Sequence, residues 1–265
     1  MGKAARLKTE RRKAPPPVGK KQGGVSQRTV LFGTIGLVAV IAIAVGGLLA
    51  TRSSPKKPPP AAASASDQNA PASLVKAADA VNFSPNTEPG VGTIESKPAS
   101  AANAPSNPSL LPVGSVAPNF TLKTPQGQKV SLSDFRGKAT LLEFFATWCP
   151  HCDAEAPHIR SIFATLPRTK YGWVSVNADG EDAASIYAYH RYFGLRDPAL
   201  VDTGSGGSTG SFHQPGNPGP VTTSYQVQAY PTFYVIDPTG KIAWRSDGEQ
   251  PDALIKQQLQ KAAGA

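Results

Sequence analysis

The stretch that decides the fold is LLEFFATWCPHCDAEAP, residues 141–157. Residues 139–146 (ATLLEFFA) are apolar on both faces except for Glu143, the pattern of a central strand covered from two sides. A carboxylate in such a run is unusual. The strand leads into a helix expected over residues 150–166, with Ile159, Ile162, Phe163 and Leu166 on one face and Cys149 and Cys152 in its first turn. Two cysteines separated by two residues at a helix start can close a disulfide with little backbone movement. The unpaired amides and the dipole at that end stabilise a thiolate on the first of them. Cys149 is therefore the expected nucleophile and Cys152 the thiol that resolves its mixed disulfides. These are the chain's two cysteines, which excludes a disulfide-stapled scaffold and a four-cysteine zinc site.

Outward from this core, short apolar runs alternate with amphipathic stretches, the sequence form of an α/β domain. Residues 120–122 and 129–132 flank TPQGQ as a hairpin. A strand at 173–177, a helix at 182–193 and a strand at 199–202 follow. Residues 232–237 and 241–245 form a second hairpin around PTG, and a helix at 252–262 closes the chain. The expected order is β-hairpin, βαβα, β, then ββα. Between them lies a Gly/Ser/Pro loop, residues 203–221 (TGSGGSTGSFHQPGNPGPV), on the way to Pro231. It is either an overhang that shapes substrate choice or a tolerated surface insertion.

The 265 residues carry a formal net charge of +9, but the excess is local. Residues 1–28 hold nine basic residues and one acid, whereas residues 112–265 hold thirteen of each. A nucleic-acid partner is therefore not expected, and the basic tail reads as a topology determinant. Residues 29–50 contain no charge, and at a rise of ~1.5 Å per residue they reach about 33 Å, enough to cross a bilayer. The apolar run exceeds that of a cleaved signal peptide, which favours an uncleaved signal anchor. The positive-inside bias puts residues 1–28 in the cytoplasm and everything after Arg52 outside. Residues 51–111, rich in Pro, Ala, Ser and Asn, read as a disordered spacer, with a transient or docking helix at 73–83 capped by Ser73. The expected plan is thus a cytoplasmic tail (1–28), a transmembrane helix (29–50), a linker (51–111) and one folded domain (112–265).

The folded part resembles a known family. VGSVAPNFTL, Gly127, VSLSDFRGK, the WCPHC core, AYPTFYVIDPTGKIAWRSDG and a terminal helix together resemble the redoxin branch of the thioredoxin superfamily, and within it the membrane-anchored TlpA/ResA-like thiol-disulfide oxidoreductases. The resemblance implies a thioredoxin-like fold, with a central mixed sheet flanked by helices and preceded by a β-hairpin. It implies that Pro231 is cis and faces the CxxC, leaving a backbone edge open for an extended substrate and keeping metal away from the thiols. Tyr230 would supply backbone hydrogen bonds to that substrate, with Trp148 and Pro150 flanking the cysteine that attacks it. The same resemblance places a buried acid, Glu143, beneath the active site. Glu155 matches the glutamate of a CxxCxxE pattern and lies one helical turn after Cys152.

CPHC departs from the pattern of reducing family members and resembles DsbA-type oxidants. His151, as a donor or cation, favours the Cys149 thiolate over the disulfide and so makes the site more oxidising. The direction of electron flow is open on these grounds. Two other readings stand beside it: a Sco-type copper-delivery protein using both cysteines and a distant histidine such as His213, and a thiol peroxidase. The peroxidase needs a Thr three residues before its reactive Cys, where this chain has Ala146. The expected protein is a single-pass prokaryotic membrane protein. It exchanges disulfides with extracytoplasmic thiol proteins and a membrane redox partner, needs no bound cofactor or metal, and acts through Cys149, Cys152, Glu143, Glu155 and His151.

Overall fold

The computed structural model describes residues 70–86, 108–212 and 214–264. The expected tail (1–28), membrane span (29–50), most of the spacer and His213 lie outside them. Among the described residues no helix is long and apolar enough to cross a membrane.

In chain order the elements are α1 (Ala72–Val81), β1 (Thr121–Lys123), β2 (Lys129–Ser131), β3 (Ala139–Phe145), α2 (Pro150–Thr165), β4 (Tyr171–Asn177), α3 (Ala183–Phe193), β5 (Ala199–Val201), α4 (Pro220–Ser224), β6 (Thr232–Ile236), β7 (Ile242–Asp247) and α5 (Asp252–Ala263). The seven strands make one mixed sheet in the order β2-β1-β5-β4-β3-β6-β7. β3 runs parallel to β4 and antiparallel to β6, and all seven of its residues are buried. Successive side chains of a strand point to opposite faces, so β3 feeds two cores. Leu141 and Phe145 join Ile159, Ile162, Phe233, Val235, Ile255 and Leu259 on one face; Leu142 and Phe144 join Val174, Val176, Leu200, Tyr225 and Tyr234 on the other. This is the mixed α/β, thioredoxin-like arrangement that the sequence leads one to expect.

Local chemistry places the helix ends. Cys149 is extended at the N-cap of α2, and Pro150 follows at the first helical position, where its missing N–H costs nothing. Asp182 caps α3 by accepting from the Ser185 amide at 2.8 Å, and Gly194 ends it with φ at 65°.

Two expectations need correction. The helix expected at 73–83 forms as α1, and of its two expected fates the structure shows docking rather than a transient helix: it packs on α3, with Ala78 buried against Tyr187 and Ala188 and flanked by Leu74, Val75 and Val81. Its N-cap is Pro71, with Ala72 as the first helical residue, rather than Ser73. A ten-residue helix is marginal alone, and the stripe of Leu74, Val75, Ala78 and Val81 becomes stable only once α3 covers it. Leu110, also inside the expected spacer, is buried in the second core. The 203–221 loop ends in α4, a helix absent from the sequence reading. Asp202 organises its start by accepting from the Thr222 amide at 2.7 Å and the Thr222 hydroxyl at 2.6 Å.

Candidate active site

The site lies where β3 ends and α2 begins. Cys149 is buried, and its Sγ donates to the Tyr230 carbonyl at 3.6 Å; the next peptide bond, Tyr230–Pro231, is cis. The four expected groups Cys149, Cys152, Tyr230 and Pro231 are thus brought together. Both thiols are free, and Cys152 is fully buried. Hydrogen bonding from the Cys152 thiol draws the Cys149 thiol down to about 7 against the opposing effect of burial, helped by the backbone amides of Cys152 and His151 and the charge of His151. Burial pushes Cys152 well above its ordinary value, and the bond it gives Cys149 adds to this. One thiol is ready to attack and the other holds its proton, the asymmetry that CxxC exchange requires.

Glu143 sits in mid-strand, opposite Ser175 on β4 and Phe233 on β6. Burial first and the nearby Asp197 charge second raise its carboxyl to about 8, against the Trp173 indole, which donates at 3.2 Å. Its field reaches Cys152. Glu155 is buried as well and accepts from the Gln250 amide at 3.3 Å, so it is part of the core beside the site rather than a solvated helix residue. His151 is half exposed, with Nδ1 2.5 Å from Glu249 Oε1. Trp148 and Pro150 are partly buried at the rim, and the Trp148 ring meets Tyr230 edge-on at 6.0 Å.

Several groups that sequence reasoning missed complete the site. Asp153, four residues after Cys149, is buried; Asn86 donates its backbone N–H to Asp153 Oδ2 at 2.6 Å and its side-chain amide to the Trp148 carbonyl. Glu181 is buried and receives the Thr147 amide at 2.8 Å and the Thr147 hydroxyl. Asp179 receives the Trp148 indole at 2.8 Å and the Gly216 amide at 2.9 Å, which ties the 203–221 loop to the active-site tryptophan. The one signal in the sequence was the density of acids, at positions 153, 155, 179 and 181, around a neutral domain. Of the other histidines, His190 is buried beside Ser175 and Asp197, and His158 lies 3.5 Å from Asp252. Among the described residues no group of three His, Cys, Asp or Glu side chains converges as a metal site, and the His213 needed for copper delivery lies outside them.

Two thiols of opposed acidity at a helix start, facing a cis-proline loop on a mixed sheet, define a thioredoxin-like thiol-disulfide oxidoreductase. The chain belongs to the AhpC/TSA family, whose profile matches residues 113–245. It is 30% identical over 148 residues to the thiol-disulfide oxidoreductase ResA of Geobacillus thermodenitrificans, covering 56% of this chain and 76% of that one. Against ResA of Bacillus subtilis it is 29% identical over 142 residues, covering 54% and 71%. A crystal structure of a putative thiol:disulfide interchange protein DsbE from Chlorobium tepidum aligns with 25% identity and a TM-score of 0.49, over 58% of this chain and 99% of that one.

Proposed function

We propose that this protein is a membrane-tethered oxidoreductase whose outer domain exchanges disulfides with extracytoplasmic proteins through Cys149 and Cys152. The observation that carries the reading is the Cys149 thiol at the N-cap of α2, drawn to about 7 and held against the Tyr230 carbonyl. In client reduction, the Cys149 thiolate attacks one sulfur of a client disulfide and the other client sulfur leaves as a thiolate. Glu143 accepts the Cys152 proton, and the Cys152 sulfur then attacks Cys149 Sγ, expelling the first client sulfur. The dithiol loses two electrons and the client gains them; client oxidation is the reverse. The backbone edge at Tyr230 and Pro231, with Trp148 and Pro150 at the rim, holds the client strand during attack. The uncharged span at 29–50, preceded by nine basic residues, supports an N-in anchor and an extracytoplasmic catalytic domain.

The test is trapping. Cys152→Ser accumulates mixed disulfides on non-reducing gels because nothing resolves them, whereas Cys149→Ser accumulates few. Equal trapping by the two variants overturns the assignment of Cys149 as nucleophile.

A further inference from the structure

Residues 70–86 precede the segment that the AhpC/TSA profile matches, yet they reach the active site. α1 lies along α3, fastened by its apolar stripe and by an ion pair of 2.9 Å between Asp79 and Arg191. Past the helix, Phe83 enters a nest of rings, 5.4 Å from Tyr189, 5.2 Å from Tyr192, 5.9 Å from Phe193 and 4.8 Å from Phe212. Tyr189 in turn donates its hydroxyl to the Cys152 carbonyl at 2.9 Å. Three residues after Phe83, Asn86 closes on the active-site turn from both sides, binding the Trp148 carbonyl and the Asp153 carboxylate.

Asp153 stands one helical turn beyond Cys149, its amide donating to the Cys149 carbonyl at 3.0 Å. Its Oδ1 is buried with no hydrogen-bond partner. A buried carboxyl oxygen left unpaired is costly when charged and cheap when it carries a proton. Resting on the oxidoreductase reading above, we propose that residues 70–86 are a strap belonging to the active site, in which Asn86 is a positioning residue that pins Asp153 beside Cys149 as a second proton-transfer group. When Cys149 attacks a client disulfide, protonated Asp153 gives its proton to the departing client thiolate. Glu143 takes the Cys152 proton before Cys152 attacks Cys149, and Asp153 regains its own proton from water. The second client sulfur takes its proton from water. Glu143 serves the same pair of thiols from the sheet side and Asp153 from the strap side.

Burial, with lesser contributions from Cys149 on its own helix and Glu181 at the β4–α3 corner, raises the Asp153 carboxyl to about 8 against the Asn86 amide, which favours the charged form. Tyr189 faces it from α3. Opposite shifts follow from two different lesions. Asn86→Pro removes the N–H donor while Phe83 keeps the strap docked, which moves the Asp153 titration upward. Phe83→Ala loosens the strap and lets water reach Asp153, which moves it downward.

The experiment is the rate of Cys149 alkylation by iodoacetamide against pH in the full-length Cys152→Ser protein that also carries Glu143→Gln, which removes the other acid titrating near 8; the readout needs no client and so separates failure of the strap from failure of the exchange reading. The expected profile has an inflection near pH 8 that is lost in Asp153→Asn, shifts up in Asn86→Pro and shifts down in Phe83→Ala. In the Asp153→Asn background neither strap variant changes the profile. Asn86→Ala, which keeps the backbone donor, leaves the inflection in place. An inflection near pH 8, distinct from that of Cys149 itself near 7, that survives Asp153→Asn, or strap variants that act equally in both backgrounds, would overturn the proposal.

Discussion

Glu143 and His151 set the chemistry at the scale of single residues. Glu143 titrates near 8, so at pH 7 it is mostly protonated and its capacity to take the Cys152 proton grows as pH rises through that value. Glu143→Gln should slow the resolving step more than a few-fold and abolish its rise above pH 7, read in stopped-flow exchange with a disulfide substrate. Because the folded acid holds its proton more tightly than the unfolded one, it costs stability progressively from about 4.5 to about 8 and nothing below that window. Thermal melts of Glu143→Gln should therefore be flatter across that range than those of the parent. A variant matching the parent in both readouts would make Glu143 a packing residue alone. His151 is paired with Glu249 at 2.5 Å, and the charge of His151 lowers the Cys149 thiol, which stabilises the reduced thiolate. The expected potential is more oxidising than the about −270 mV of thioredoxin, and His151→Pro should move it tens of millivolts towards reducing values in glutathione buffers, ~30 mV for each ~1.4 kcal/mol.

At the scale of elements, the loop at 203–221 is docked rather than loose. The Gly210 amide donates to the Gly180 carbonyl at 3.1 Å, the Phe212 amide to the Ser185 hydroxyl at 2.9 Å and the Gly216 amide to Asp179. A side chain at Gly216 would run into the Asp179 carbonyl, which accounts for glycine at that approach. Asp179 joins the loop to Trp148, and Asp179→Ala removes the acceptor of both at a cost of ~1–3 kcal/mol. The expected result is faster proteolysis within the loop and a raised KM for a folded client, with the Cys149 alkylation rate within about twofold of the parent. Unchanged proteolysis would mean that the backbone pairing with Gly180 and Ser185 holds the loop by itself.

At the scale of the molecule, the charge balance separates a neutral catalytic domain from a basic N-terminal segment, and the uncharged run between them is the proposed anchor. The full chain should stay with membranes through a high-pH wash, and Cys149 of the Cys152→Ser variant should react with a membrane-impermeant maleimide on intact cells. Labelling only after lysis would reverse the proposed topology. Removing residues 1–52 should release a soluble protein that keeps its exchange activity, since the described contacts of the site come from residues 83–250.

The sequence alone determined the succession of strands and helices along the chain and the CxxC helix, because each rests on local chemistry, while the proline loop came from the family resemblance and the order of strands in the sheet from the structure. Alternation and 3.6-residue periodicity mark the strands and helices, Pro150 and Asp182 mark helix starts, and two cysteines at one helix start leave little else to do. Tertiary structure decided the rest. The sequence offers a helix at 73–83 but not its fate, because α1 has too little apolar surface to order itself and only the face of α3 completes it. Asp153, Asp179 and Glu181 read as ordinary surface acids until the fold buries them. The docking of 203–221 runs through backbone amides of small residues, which leave no pattern in side-chain chemistry. Periodicity records which way a side chain faces within its own element; which charge is stripped of water depends on what the rest of the chain lays over it.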